Sequence, residues 1–307
     1  MIMRLPLKSI VEAIALLYSY RSERAIIEGK MTLSSRTLVL HTTLAIALLL
    51  LLSSGGAAYL LLSGERVPSL LDAIEGESSW FGLSLLMSPE RVIYSMVAAF
   101  LAPTFALFGL VVVERFFRRT LSPQVFFFAV FLLGLSFEGG RVIQALLHTE
   151  GLGYALLGMV TRFVAFGRIM AMSALVAASL YAAGISYQKN GVVLAIIVAI
   201  SGGVSYASPV NSLTLAPDLL FRIGEGYSVD VVHLLLGLVA VINYLQAALT
   251  EERGEYLAHA VAIFAVVGGW FLLVEVPMFP GISGGAALLV AGSTVFLRRR
   301  YTSYLWS

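Results

Sequence analysis

The chain has no cysteine. Disulfides, thiolate metal centres and cysteine nucleophiles are therefore excluded. Charge is scarce as well: 12% of the 307 residues are charged, against roughly 25% in soluble domains. The net charge of +2 is too small to indicate a nucleic-acid partner. No lysine interrupts the long apolar runs, so a retinal Schiff base is excluded. Paired aspartates, metal-ligand spacings and nucleophile–base pairs are missing too. No reaction can be read, no cofactor is expected, and an enzyme is not the expectation.

Apolar sequence is what the chain has in excess, 59% by composition. Runs long enough to span a bilayer occur at Leu38–Leu62, Val92–Val113, Val125–Leu147, Ala165–Ile185, Val192–Ala207, Val231–Leu249, Leu257–Val274 and Ile282–Leu297. They are apolar all round, whereas a transmembrane barrel alternates apolar and polar residues. Helices satisfy their own backbone groups in lipid. The expected fold is all-α, a polytopic bundle of about eight transmembrane helices. Gly151–Ile185 exceeds one straight span: 35 helical residues reach about 50 Å, against an apolar core of about 30 Å. The expectation is an extra outer half-helix or re-entrant segment over Gly151–Val164, ahead of the span.

Basic residues orient the bundle. With the N-terminus inside, the inner segments hold Arg4, Lys8, Arg21, Arg24, Lys30, Arg36, Arg115, Arg118, Arg119, Lys189, Arg253 and Arg298–Arg300. The outer ones hold Arg66, Arg91 and Arg222. This bias places both termini in the cytoplasm and the protein in the inner (cytoplasmic) membrane as a multi-pass chain, with lipid as its first partner. Residues 1–36 form a cytoplasmic segment with an amphipathic helix over Leu5–Ile27, opened by Pro6 and carrying Ile10, Ile14 and Leu17 on one side. It offers a surface to the membrane or to a partner protein. Residues 37–297 form the bundle, and residues 298–307 a short basic and aromatic cytoplasmic tail.

The most informative residues are Glu138 and Arg141, inside the third run. A charge near the bilayer centre costs about 2.5–3.5 kcal/mol on insertion scales. The two are three residues apart and share a helix face with His148. Arg162 and Arg168 in the fourth region, His233 opening the sixth span and Glu275 closing the seventh fall at a similar depth, in the outer half. Arginine then outnumbers carboxylate, and guanidinium matches carboxylate or phosphate in bidentate fashion. The expectation is an outward-facing, net-positive site formed by Arg141, Arg162, Arg168, Glu138, His148, His233 and Glu275. It would bind or transport an anionic small molecule or a lipid headgroup. The rival is a non-catalytic membrane sensor or a subunit of a larger assembly.

Glycine motifs add little. Ser54-Gly55-Gly56-x-x-Tyr59 recurs as Ser201-Gly202-Gly203-x-x-Tyr206, and Ser283-Gly284-Gly285 appears in the last span. Pro280-Gly281-Ile282-Ser283-Gly284-Gly285 resembles the signature of a family of polyprenyl-phosphate translocases, which carries the motif twice. The resemblance covers six residues, and the first copy here is reduced to Ser54-Gly55-Gly56 without the proline. Helix packing through small residues is the plainer role for these glycines. Topology reporters fused to the two ends should both read cytoplasm; a signal from the opposite side at either end means the spans are miscounted.

Overall fold

The computed structural model describes residues 33–64, 66–74, 78–80, 83–85, 89–117, 122–184, 190–224, 228–250, 254–276 and 278–305. The helix expected over Leu5–Ile27 lies outside them. Among the described residues, eight spans are long and apolar enough to cross a membrane, and the chain folds as an all-α polytopic bundle. The helices are α1 (Leu33–Ser63), the short α2 (Val67–Ala73), α3 (Pro89–Phe117), α4 (Pro123–Ser136), α5 (Gly140–Thr149), α6 (Tyr154–Ala182), α7 (Asn190–Ala207), α8 (Ser228–Thr250), α9 (Gly254–Glu275) and α10 (Phe279–Leu305). Two antiparallel hairpins interrupt them, β1 (Ser78–Trp80) with β2 (Leu83–Leu85), and β3 (Val210–Leu215) with β4 (Phe221–Ile223).

Local sequence explains the boundaries that matter. Ser122 caps α4 by accepting from the backbone N–H of Val125, and Pro123 occupies the first turn, where its missing N–H does no harm. The third span then breaks into a 3-10 turn at Phe137–Gly139 before α5 resumes it. A Cβ on Gly139 would meet Ser54 of α1, and one on Gly140 would lie 2.7 Å from Val164 of α6. The glycine pair thus lets two helices close on the turn that carries Glu138.

The fourth span departs from expectation. α6 is one continuous helix of 29 residues, about 43 Å long, so Gly151–Val164 is no separate half-helix. The chain reverses before it at Gly151, whose φ of +68° suits glycine. The excess length is accommodated because α5 and the β3–β4 hairpin pack beside the first half of α6. The basic triplet Arg298–Arg300 also belongs to a helix, since α10 runs on to Leu305.

Burial separates centre from rim. Over an 18-residue stretch of each, 89% of residues are buried in the third span and 72% in the fourth, against 22% in α7. α4 and α6 are the central pair, with α1 and α3 packed on one side and α8, α9 and α10 on the other. Phe126, Phe127, Phe128 and Phe131 of α4 are wholly buried; Phe127 stacks on Tyr181 of α6 and Phe128 lies 4.9 Å from the ring of Phe296 on α10. Small residues allow the closest approaches, as expected in lipid. A Cβ on Gly134 would sit 2.5 Å from the carbonyl oxygen of Gly167, and one on Gly285 2.7 Å from the backbone nitrogen of Leu273. The Ser283-Gly284-Gly285 motif therefore packs α10 on α9. Gly56, Gly202 and Gly203 face open space, so the recurring motif builds no shared site.

Beyond the bundle, the β3–β4 hairpin folds inward. Its tip, residues 216–220, closes through the bonds Ala216 N–H to Leu220 O and Leu219 N–H to Ala216 O. Leu219 holds a φ of 69°, and Leu215, Leu219, Leu220 and Phe221 are buried. Ser95 of α3 donates to the carbonyl of Pro217 (2.7 Å), and the N–H of Phe221 donates to the hydroxyl of Thr161 on α6 (3.3 Å). Irregular backbone at this position is tolerated because protein surrounds it.

Gly167→Leu should open the α4–α6 contact. Overpacking of this kind typically destabilises by about 1–3 kcal/mol, so the purified variant should melt clearly below the wild type. An unchanged melting temperature would mean that the two helices do not approach closely at Gly167.

Candidate functional site

Arg168 lies at the middle of α6 and Glu138 on the 3-10 turn between α4 and α5. Nε of Arg168 donates to Oε1 of Glu138 at 2.8 Å and Nη2 to Oε2 at 3.1 Å. This two-pronged, charge-assisted geometry is the strongest an ion pair adopts. The other edge of the guanidinium faces two further carboxylates: Nη1 lies 3.5 Å from Oε1 of Glu275, the last residue of α9, and Nη2 lies 3.7 Å from Oδ2 of Asp218 at the hairpin tip. Arg141, one turn beyond Glu138, donates from Nε to the backbone carbonyl of Asp218 at 2.7 Å and reaches Glu138 more loosely, at 3.5 Å. Five side chains from the third, fourth and seventh spans and the hairpin thus form one network.

The network grades from dry to wet. The side chains of Glu138 and Arg141 are 1% and 0% exposed, Arg168 9%, Glu275 12% and Asp218 28%. Asp218 and Glu275 form its open edge, and Asp230, in the first turn of α8, lies within electrostatic range of Arg168 and Asp218. Beside the dry end, Gln144 accepts from the hydroxyl of Thr161 at 2.7 Å, and the same hydroxyl receives the N–H of Phe221. That relay ties α5, α6 and the hairpin together. Several buried polar atoms reach no hydrogen-bond partner among the described residues: Nη2 of Arg141, Nε2 of Gln144, both ring nitrogens of His233 and Nε1 of Trp270. His233 packs edge-on against Trp270 with ring centroids 5.5 Å apart. Buried groups of this kind are uncommon and call for a specific explanation.

Of the residues expected here, Glu138, Arg141, Arg168 and Glu275 converge, and His233 is buried within electrostatic range of Arg168 and Glu138. Arg162 does not join them. It lies six residues nearer the start of α6 and rests over the ring of Tyr206 at 5.5 Å. His148 sits at the far end of α5, two turns past Arg141, half-buried and outside the network. Asn243 of α8 bridges helices, donating to the hydroxyl of Ser179 on α6 at 3.0 Å.

Asp218 is the residue sequence reading missed, and it alters the charge. Two arginines, Arg141 and Arg168, meet three carboxylates, Glu138, Asp218 and Glu275. With all five ionised the site carries a formal charge of −1, so the net-positive site expected from sequence is corrected. The reason is geometric: Arg162 points elsewhere, and a loop counted as external supplies a carboxylate. The one available signal was the apolar character of Leu213–Phe221, unusual for an exposed turn.

The chain matches no protein-family model and no solved structure. It is 26% identical over 204 residues to an uncharacterized protein of Treponema pallidum (strain Nichols), a match that covers 60% of this chain and 59% of that protein. The chain thus spans about three fifths of the length of that curated relative, whose printed description names no activity.

Glu138→Gln should destabilise the protein by about 3–5 kcal/mol, because it leaves Arg168 buried against a neutral amide. Asp218→Asn, at the wetter edge and 3.7 Å from its partner, should cost under about 1 kcal/mol. Denaturant unfolding of the two purified variants checks the order; equal losses would mean the dry and wet ends of the network are not distinct.

Proposed function

We propose that the protein is a membrane transporter whose polar network takes up a proton or a small cation. One observation carries this reading: the carboxylate surplus around Arg168. In a low-dielectric setting an uncompensated carboxylate is costly. Glu138 is saturated by the two-pronged contact with Arg168, so the surplus belongs to Asp218 and Glu275, at the open edge. A proton or cation bound between them restores neutrality. Ionisable residues inside spans commonly mark proton and ion pathways, and a site at a broken helix, as at Phe137–Gly139, recurs in transporters.

A small anion is the second reading. It rests on Nη2 of Arg141 and on His233, which present unpartnered hydrogen-bonding atoms in the buried part of the network.

Reconstitution separates the two. Protein in liposomes loaded with a pH-sensitive dye, under an imposed potassium diffusion potential, should acidify or alkalinise the lumen, and Glu275→Gln should abolish that flux. Wild-type flux equal to that of empty liposomes removes the proton reading. Titration with sodium, followed by the fluorescence of Trp270 beside His233, tests the cation in the same way. A fluorescence response to chloride or phosphate that Arg141→Gln abolishes would favour the anion instead.

A further inference from the structure

A second feature shares no residue with the polar network. α3 and α10 touch only sparsely, and between them opens a groove of about 710 Å³ floored by α4 and α9. That volume is in the range of sites that hold a small ligand, about 300–1,000 Å³. Its floor includes Phe128, Leu132 and Leu273, and its walls include Gly109 and Leu289. On α3 the lining runs from Leu101 to Phe117, a rise of about 24 Å. One leaflet of hydrocarbon is about 15 Å deep, half of a 30 Å core, so the groove has the length for a lipid chain.

The rim says what covers it. Phe108 is 67% exposed and Val290 54% exposed, so the opening faces the bilayer side of two membrane-spanning helices. These rim residues are large, whereas helices that associate in lipid do so through small residues that let backbones approach. One end of the groove is aromatic and basic. Tyr301 meets the rings of Phe116 and Phe117 edge-on, 5.8 and 6.0 Å between centroids. Arg298 lines the groove there, and Arg299 on α10 and Arg115 on α3 are exposed at the same ends of the two framing helices. An apolar slot closed by aromatic rings beside exposed guanidinium groups is complementary to an acyl chain ending in a negatively charged headgroup.

We infer that this groove is a binding site for one anionic phospholipid, its acyl chain between α3 and α10 and its phosphate on Arg298. The lipid belongs to the leaflet on the side where α10 ends. It fills the gap left where α3 and α10 touch only sparsely, and the headgroup engages Arg298 through charge-assisted hydrogen bonds.

The test uses the full chain, purified in detergent and delipidated, with native mass spectrometry at increasing phosphatidylglycerol or phosphatidylcholine of identical chains. The wild type should bind one phosphatidylglycerol about fivefold or more tightly than phosphatidylcholine, the effect expected of one basic residue near a headgroup. Arg298→Gln should bring the two lipids to parity while phosphatidylcholine binding persists. Val290→Trp, at an exposed position that tolerates bulk, should weaken both lipids by about tenfold or more by filling the slot; Thr294→Trp serves the same purpose if that variant is not monodisperse. Equal affinity for both lipids in the wild type, or undiminished binding in a monodisperse tryptophan variant, would overturn the assignment. So would a dimer that the tryptophan variant dissolves, since a second copy would then occupy the groove.

Discussion

The two-pronged contact between Arg168 and Glu138 is the interaction on which the rest of the structure depends. Both groups are carried into surroundings that strongly disfavour an isolated charge. Each is acceptable there because the other is within hydrogen-bonding distance on two atoms at once. The pair then constrains its neighbours. Arg168 has donors left over, and they point at Glu275 and Asp218. Glu138 lies on a turn that Arg141 follows, and Arg141 in turn holds the backbone of the hairpin. One ion pair thereby couples the centre of the bundle, the end of the seventh span and an excursion between spans five and six.

Packing and charge meet at the same place. Gly167, whose lack of a side chain lets α6 approach α4 at Gly134 and Phe137, immediately precedes Arg168. A bulkier residue there would move the guanidinium away from the carboxylate it serves. Gly139 and Gly140 have the same effect on the other partner, allowing α1 and α6 to close on the turn of Glu138. The small residues of the central spans therefore do more than associate helices: they set the separation across which the ion pair forms. In the second half of the bundle, Gly269, Gly285 and Gly292 join α9 to α10 closely. The flank where α10 meets α3 lacks such contacts and opens as a groove.

Much of the architecture was legible because lipid imposes simple rules. A helix that must satisfy its own backbone and carry apolar side chains for twenty residues announces itself, and all eight runs read from composition correspond to spans. The details that failed were those decided between segments. Gly151–Val164 was read as a separate piece because a 29-residue helix exceeds the hydrocarbon thickness; it stays continuous because α5 and the hairpin accompany it. Glu138, Arg141, Arg168 and Glu275 could be placed at a common depth by counting residues from span ends. Arg162 could be placed there too, yet it turns to Tyr206, since depth along a helix does not specify which way a side chain faces.

What the sequence determined by itself was the class of fold, the number of spans and the presence of charges that must be compensated within them. These follow from hydropathy and chain length, which act on each segment alone. Tertiary structure decided the sign and reach of the polar network, because the decisive carboxylate, Asp218, comes from a loop whose inward path depends on Ser95, Thr161 and Arg141 receiving it. It also decided where the bundle leaves a groove. Both depend on distances between residues far apart in the chain, and such distances are fixed by how helices settle against one another rather than by the composition of any one of them.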